Sequence, residues 1–133
     1  MPELSTAQRT VSKAMKESEL ANSVIELAEA YGWRVAYFPT WAGVNKRRKG
    51  FPDMVLVRDG RLIFAELKRE KQKPSEKQQA WLDDLSLVAD EAKNLGQDKR
   101  YWRPVLIRVW RPSDLLSGDI QLQLAAKNTA RVR

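Results

Sequence analysis

Asp59-Gly60 constrains the fold of this chain more than any other dipeptide. A type I′ turn needs φ > 0 at both central positions, and Asp-Gly supplies that cheaply. Before it stands Pro52-Asp53 and an apolar run, Met54-Val55-Leu56-Val57. After it comes a return strand, Arg61-Leu62-Ile63-Phe64-Ala65-Glu66-Leu67-Lys68. A two-residue turn fixes register, so Arg58 faces Arg61, Leu56 faces Ile63 and Met54 faces Ala65. Carried one pair further, Asp53 faces Glu66. Their Cβ atoms would then lie about 5 Å apart, and two like charges so placed repel unless a positive charge sits between them. A divalent cation meets that need.

Alternation along the return strand puts Leu62, Phe64, Glu66 and Lys68 on one face, with Ile63, Ala65 and Leu67 on the other. Both faces are apolar up to Ala65, which predicts a strand covered on both sides. Charge enters only at its C-terminal end, where Lys68 follows Glu66 by about 6.6 Å on the same face. An ammonium there can hold a water or a phosphate oxygen beside a metal. The plainer reading of Glu66 and Lys68 is a cross-strand ion pair, which contributes little. Asp53 in register moves the balance toward chemistry.

With 133 residues the chain is long enough for one domain with a proper core. It has no cysteine and no histidine, which excludes disulfides, imidazole or thiolate zinc sites, and His-assisted nucleophiles. Carboxylates, lysine and a hard cation remain, so magnesium is the expected cofactor, with manganese able to substitute. A net charge of +7 fits a polyanionic partner or mere solubility, and placement is more telling. Lys46-Arg47-Arg48-Lys49 precedes Gly50-Phe51-Pro52-Asp53, and Lys68-Arg69-Glu70-Lys71-Gln72-Lys73 follows the return strand. Lys46, Arg47, Arg48, Lys49, Arg69, Lys71 and Lys73 are the candidate DNA contacts. No membrane span or secretory signal is visible, so the expectation is a soluble intracellular protein.

The first long helix ends at Tyr31-Gly32, with Leu20, Val24, Leu27, Ala28 and Tyr31 at helical spacing. Ser5-Thr6-Ala7-Gln8 reads as a capping box for an earlier start or a separate short helix. Glu17 falls on the core-facing stripe, Glu19 borders it, and Glu26 and Glu29 lie off it. Trp33 to Phe38 reads as a strand, and 40–50 as a basic, glycine-containing loop, the expected mobile segment beside the site. Ser75 is the expected N-cap of a helix whose apolar face is Trp81, Leu82, Leu85 and Val88. Gln78, one turn earlier, points either to solvent, which spacing alone favours, or toward the carboxylates. Asp90 to Arg103 is polar and unassigned. Val105 to Trp110 is a last strand, Ser113 to Leu116 a short turn or helix, and 127–133 a basic tail. The order α-β-β-β-α-β predicts an α/β domain, a mixed sheet flanked by helices. Trp33, Trp81 and Trp110 are expected in the core. Trp41 and Trp102 either stack on unpaired bases or cap the core, the latter being favoured.

Taken together, Glu17-Ser18-Glu19-Leu20, Gly32-Trp33, Gly50-Phe51-Pro52-Asp53, Ala65-Glu66-Leu67-Lys68, Ser75-Glu76-Lys77-Gln78 before Trp81-Leu82, and Trp110-Arg111-Pro112-Ser113-Asp114 resemble the PD-(D/E)xK nuclease superfamily. Within it the chain most resembles the virus-type replication-repair nuclease (VRR-NUC) domain, over residues 15–117. Residues 1–14 and 118–133 are read as extensions. The resemblance implies a PD-(D/E)xK restriction-endonuclease-like core. It implies metal ligation by Asp53, Glu66, the Leu67 carbonyl and Glu17, with Glu19 the rival to Glu17. It further implies Lys68 acting on the attacking water and Gln78 positioning the site or touching DNA. A homodimer and branched or Holliday-junction DNA are implied as well, and the cytoplasm of a bacterial host if the chain is phage-encoded.

The first functional expectation is thus a Mg2+-dependent DNA endonuclease that recognises DNA shape through backbone contacts. The alternative is a non-catalytic DNA-binding module on the same fold, a recombination or repair accessory. The intact Asp53, Glu66, Lys68 set favours the enzyme.

Overall fold

Ser5 opens the first helix, α1 (Thr6–Ala14), in a computed structural model that describes residues 3–39, 46–95 and 105–126, with backbone alone at 93–95. The box is reciprocal: Gln8 N donates to Ser5 Oγ (3.1 Å), and Ser5 N donates to Gln8 Oε1 (2.9 Å). Helix α2 (Glu17–Ala30) is separate and stops at Tyr31-Gly32, where Gly32 takes φ +85°. Strand β1 (Arg34–Tyr37) precedes a short 3-10 turn over Lys46–Arg48. Then come β2 (Met54–Arg58), β3 (Arg61–Leu67), α3 (Glu76–Leu95), β4 (Val105–Trp110), α4 (Pro112–Leu116) and α5 (Asp119–Ala125). The core order α-β-β-β-α-β is present, with α1, α4 and α5 added around it.

The four strands form one sheet in the order β1-β2-β3-β4. The β1–β2 and β2–β3 pairs are antiparallel, and β4 lies parallel to β3 after the α3 crossover that parallel pairing requires. In the hairpin Met54 faces Ala65, Leu56 faces Ile63 and Arg58 faces Arg61, as the turn predicts. Asp59 (φ 46°) and Gly60 (φ 80°) are both left-handed, the signature of that turn.

Met54, Leu56, Ile63, Ala65 and Leu67 bury one sheet face in a cluster with Leu20, Ala21, Val24 and Ala28 of α2. The opposite face is less covered than its apolar pattern predicts: Leu62 and Phe64 are half-buried. Helix α3 accounts for this. Leu82 is buried and Leu85, Ala89 and Ala92 are half-buried, but Val88 is 62 % exposed, so the helix turns Val88 away from the sheet and covers that face with small residues in its second half.

The chain beyond residue 117 joins the same core through Ile120 and Leu124. Trp33 Nε1 and Arg58 Nη1 each donate to the Leu124 carbonyl at 2.8 Å. Arg61 Nη1 donates to the carbonyls of Gln123 and Ala126, both at 2.8 Å. These cations satisfy the last carbonyls of α5, where the helix dipole also favours positive charge. Arg58 and Arg61 also lie over the Trp33 ring. At the other end of the chain, Gln8 Nε2 reaches the Leu116 carbonyl, tying α1 to α4.

Candidate active site

The ladder between β2 and β3 brings Asp53 and Glu66 together. Met54 pairs with Ala65, and Phe38 N donates to the Asp53 carbonyl at 2.8 Å, so sheet pairing continues one residue past β2. The Asp53 carboxylate accepts the Leu67 amide (Oδ2, 2.8 Å) and lies within hydrogen-bonding reach of the Glu66 carboxyl. Both side chains are buried, Glu66 to 1 % exposure. Burial foremost, then the hydrogen bond and charge of Asp53, push the Glu66 carboxyl up to about 9, against a smaller downward pull from Lys68. Near neutrality the pair therefore holds a proton unless a cation replaces it.

Gln78 fixes one oxygen of Glu66. Ser75 caps α3: Gln78 N donates to Ser75 Oγ (3.3 Å) and Ser75 N to Gln78 Oε1 (2.8 Å). With its oxygen committed to the cap, the Gln78 amide turns Nε2 toward Glu66 Oε1, at 3.1 Å. Glu66 Oε2 is buried with no hydrogen-bond partner among the described residues. A lone acceptor of this kind, beside a second carboxylate, fits a hard cation. Among the described residues no three carboxylates stand close enough together to form a metal cluster. A donor set of two carboxylates suits magnesium, which keeps several waters and commonly takes one or two protein carboxylates.

Glu17 and Lys68 complete the charged ring. Glu17, half-buried at the start of α2, is raised by burial first; Lys68 and Arg69 pull it down and Asp53 pushes it up. It therefore faces the site. Glu19 does not: its Oε1 accepts Lys16 N at 3.1 Å and caps the exposed start of α2. The Lys68 amide donates to the Trp110 carbonyl at 3.0 Å, which extends the β3–β4 pairing beyond β3 and anchors the lysine backbone. Tyr37 is a site neighbour that motif reading passes over. Burial, then the charges of Asp53 and Glu17, raise its phenol. No sequence motif signals it, since Tyr37 reaches the site by pairing with Met54, next to Asp53.

The two basic runs lie beside different grooves. Arg47 and Arg48, on the 3-10 turn, line one with Phe38, Phe51 and Trp81. Arg69 and Lys71 line another of about 290 Å³, joined there by Lys13 of α1. Lys46, Arg47, Lys49, Arg69, Lys71 and Lys73 are exposed, and Arg48 is half-buried. Glu70 is held back from solvent by the Ser113 amide (2.9 Å), and Arg111 Nη2 donates to the Gln72 carbonyl (2.9 Å), so α4 braces this segment.

Trp33 and Trp110 are core residues, 3 % and 1 % exposed. Trp81 is not. It is half-buried, edge-on to Phe51 at 5.0 Å, and forms a groove wall. Helical spacing puts Trp81 on the packed side of α3 but does not tell how fully each residue of that side is covered. Trp41, Trp102, the loop over 40–45 and the tail over 127–133 lie outside the described residues.

Gly50 sets how closely this loop meets α3. Its φ is +87°, and a Cβ there would stand 2.7 Å from the Lys77 carbonyl carbon and oxygen. Gly50→Ala combines a left-handed strain with a backbone clash, so it should cost roughly 2–4 kcal/mol. Urea unfolding measures this; a change below about 0.5 kcal/mol would show that the loop does not seat on α3.

Residues 3–87 match the VRR-NUC domain family. No curated protein matches the chain. The match spans α1 to the first half of α3 and contains Glu17, Asp53, Glu66, Lys68 and Gln78. The mixed four-stranded sheet flanked by helices agrees with a PD-(D/E)xK-like nuclease fold. With most of its length matched and that fold in place, the chain belongs to the VRR-NUC domain family and to its nuclease-type processing of DNA.

Proposed function

We propose that this protein is a magnesium-dependent DNA endonuclease selective for branched or junction-containing DNA, in which manganese can replace magnesium. The observation that carries the proposal is the unpartnered, buried Glu66 Oε2 next to Asp53. Asp53 and Glu66 would hold the ion, with the Leu67 carbonyl as a further donor and Glu17 joining the set through one of the ion's waters. Bound there, the ion supplies positive charge to the scissile phosphate and lowers the pKa of a water.

The chain's own residues do the rest. Gln78 Nε2 holds Glu66 Oε1 and so leaves Oε2 for the cation. The Leu67 amide keeps the Asp53 carboxylate turned toward Glu66. Lys68 orients the attacking water and offsets negative charge growing on the phosphate oxygens. Glu17 accepts the electrostatic attraction of Lys68 and Arg69, which holds the lysine at the site. The exposed cations at 46–49 and 69–73 bind phosphates without reading sequence, so selectivity rests on DNA shape.

We place the protein inside the cell and assign it a homodimer. No helix among the described residues is long and apolar enough to cross a membrane. The homodimer reading draws on Leu87 and Val88 of α3, 65 % and 62 % exposed.

Cleavage of labelled linear, flap and four-way-junction DNA with magnesium, manganese or EDTA tests the activity, and light scattering of the same sample tests the dimer. Metal-dependent cutting that favours branched DNA is expected. Binding without cutting on every substrate would instead make the domain a DNA-binding module.

A further inference from the structure

Trp81 stands between two grooves, and cations line both. One groove, about 380 Å³, holds Phe38, Phe51, Arg47 and Arg48 with Trp81. The other, about 250 Å³, holds Lys49 and Lys77 with Trp81, Ala80 and Asp84. Lys49, Lys77 and Arg47 are exposed. Phe51 is the hub beneath, meeting Phe38 and Phe64 edge-on at 6.0 Å and Trp81 at 5.0 Å. Arg48 lies over the Phe38 ring at 5.4 Å.

This wall also adjoins the carboxylates. Phe51 is two residues before Asp53, and Phe64 shares a strand face with Glu66, two residues on. Trp81 follows Gln78 by one helical turn, and Gln78 touches Glu66.

We propose that Trp81 and its two grooves guide an unpaired DNA strand to the carboxylate site. The proposal rests on the nuclease reading above and names the substrate feature it selects. Single-stranded DNA alternates an apolar base with a phosphate about every nucleotide. An aromatic wall with cations on either side matches that alternation, since bases stack on rings while phosphates track the positive charge. A blunt duplex cannot use the wall, because its bases are already stacked and paired. Packing α3 on the sheet requires Phe51 and Phe64, but it does not require lysines and arginines on both sides of a half-open tryptophan. Asp84, two helical turns from Lys77 on α3, would repel a phosphate, so the phosphate is expected beside Lys49 and Lys77.

The test is fluorescence anisotropy of the full chain in EDTA, where nothing is cut. The probes are a blunt duplex, the same duplex with a single-stranded arm, and the free single strand. Wild type should prefer the armed and single-stranded probes. Trp81→Leu keeps apolar bulk without a ring face and should lose roughly 10-fold or more on those two probes, with less than about 2-fold loss on the blunt duplex. Trp81→Phe should recover most of the loss. Lys77→Gln, on an exposed helix face, should lower the slope of log K against log salt by about 0.7 for the single strand and leave the blunt-duplex slope unchanged.

Equal losses on blunt and armed probes would overturn the proposal, as would a wild type with no preference between them. If Trp81→Leu does not fold, the salt slope of Lys77→Gln decides alone. Failure of the nuclease reading appears separately, as absence of metal-dependent cutting by wild type that still prefers the armed probe.

Discussion

Lys68→Ala should abolish DNA cleavage by roughly 10²–10⁴-fold while leaving the fold intact. The fold is spared because the structural work of residue 68 is done by its backbone. The amide donates to the Trp110 carbonyl, and alanine supplies the same bond. The side chain is half-buried among Glu17 and Glu66, and its charge lowers the proton affinity of both. Its loss therefore withdraws positive charge from the place where phosphate charge grows, and it leaves both carboxyls more readily protonated. Lys68→Arg keeps a charge but replaces a compact ammonium with a planar fork. It should recover folding and DNA binding and only a small part of the rate. Single-turnover cleavage with saturating enzyme isolates the chemical step from binding. Wild-type rates in both variants would remove Lys68 from the site, and a large fall in melting temperature would make its role structural.

The legible parts of this fold are those set by local rules. Asp59-Gly60 admits one register, and six residues away that register has already chosen which side chains meet. Ser5 announces a helix through a glutamine three residues on, and Ser75 announces one as a capping residue before an apolar face. The cap at α2 was not legible, because Lys16 is not a capping residue and the contact depends on the Glu19 side chain folding back to its amide. That contact removes Glu19 from the charged ring and leaves Glu17 in it.

What stayed hidden depends on contacts distant in sequence. Gln78 has the spacing of a surface glutamine, and only the approach of α3 to β3 turns its Nε2 onto Glu66. Trp81 shares an apolar face with Leu82 and Leu85, and spacing does not say that Leu82 is buried while Trp81 stays half-open beside Phe51. Helix α5 carries Ile120, Leu122 and Leu124 at alternate positions, a spacing that does not read as a helix; its docking depends on arginines some 60 residues earlier, which bond its terminal carbonyls. Tyr37 adjoins the site because β1 pairs with β2 at Met54, a fact no motif carries.

Glu66→Gln should make the metal-free protein more stable at alkaline pH and insensitive to added divalent cation. The folded-state carboxyl titrates at about 9 against an ordinary 4.5, so between those values the folded state binds more protons than the unfolded one. Stability then falls with rising pH: the contribution is complete below about pH 4.5 and is lost as pH climbs toward 9. At pH 8 the penalty to the wild type in EDTA is on the order of a few kcal/mol, or about 5–10 °C in Tm for each 2 kcal/mol. Glutamine removes the titration. Its oxygen still accepts from Gln78 Nε2, and its amide can donate to Asp53. Glu17 and Asp114 are also raised by burial and tilt the pH profile of both proteins alike, so the difference between wild type and variant isolates Glu66. Melting curves at pH 5 and pH 8 should show the variant's advantage in EDTA at the higher pH alone. Magnesium or manganese should raise the wild-type Tm at pH 8 and leave the variant unmoved. A stability difference that ignores pH would mean that Glu66 is already partnered. An equal metal shift in both proteins would place the cation elsewhere.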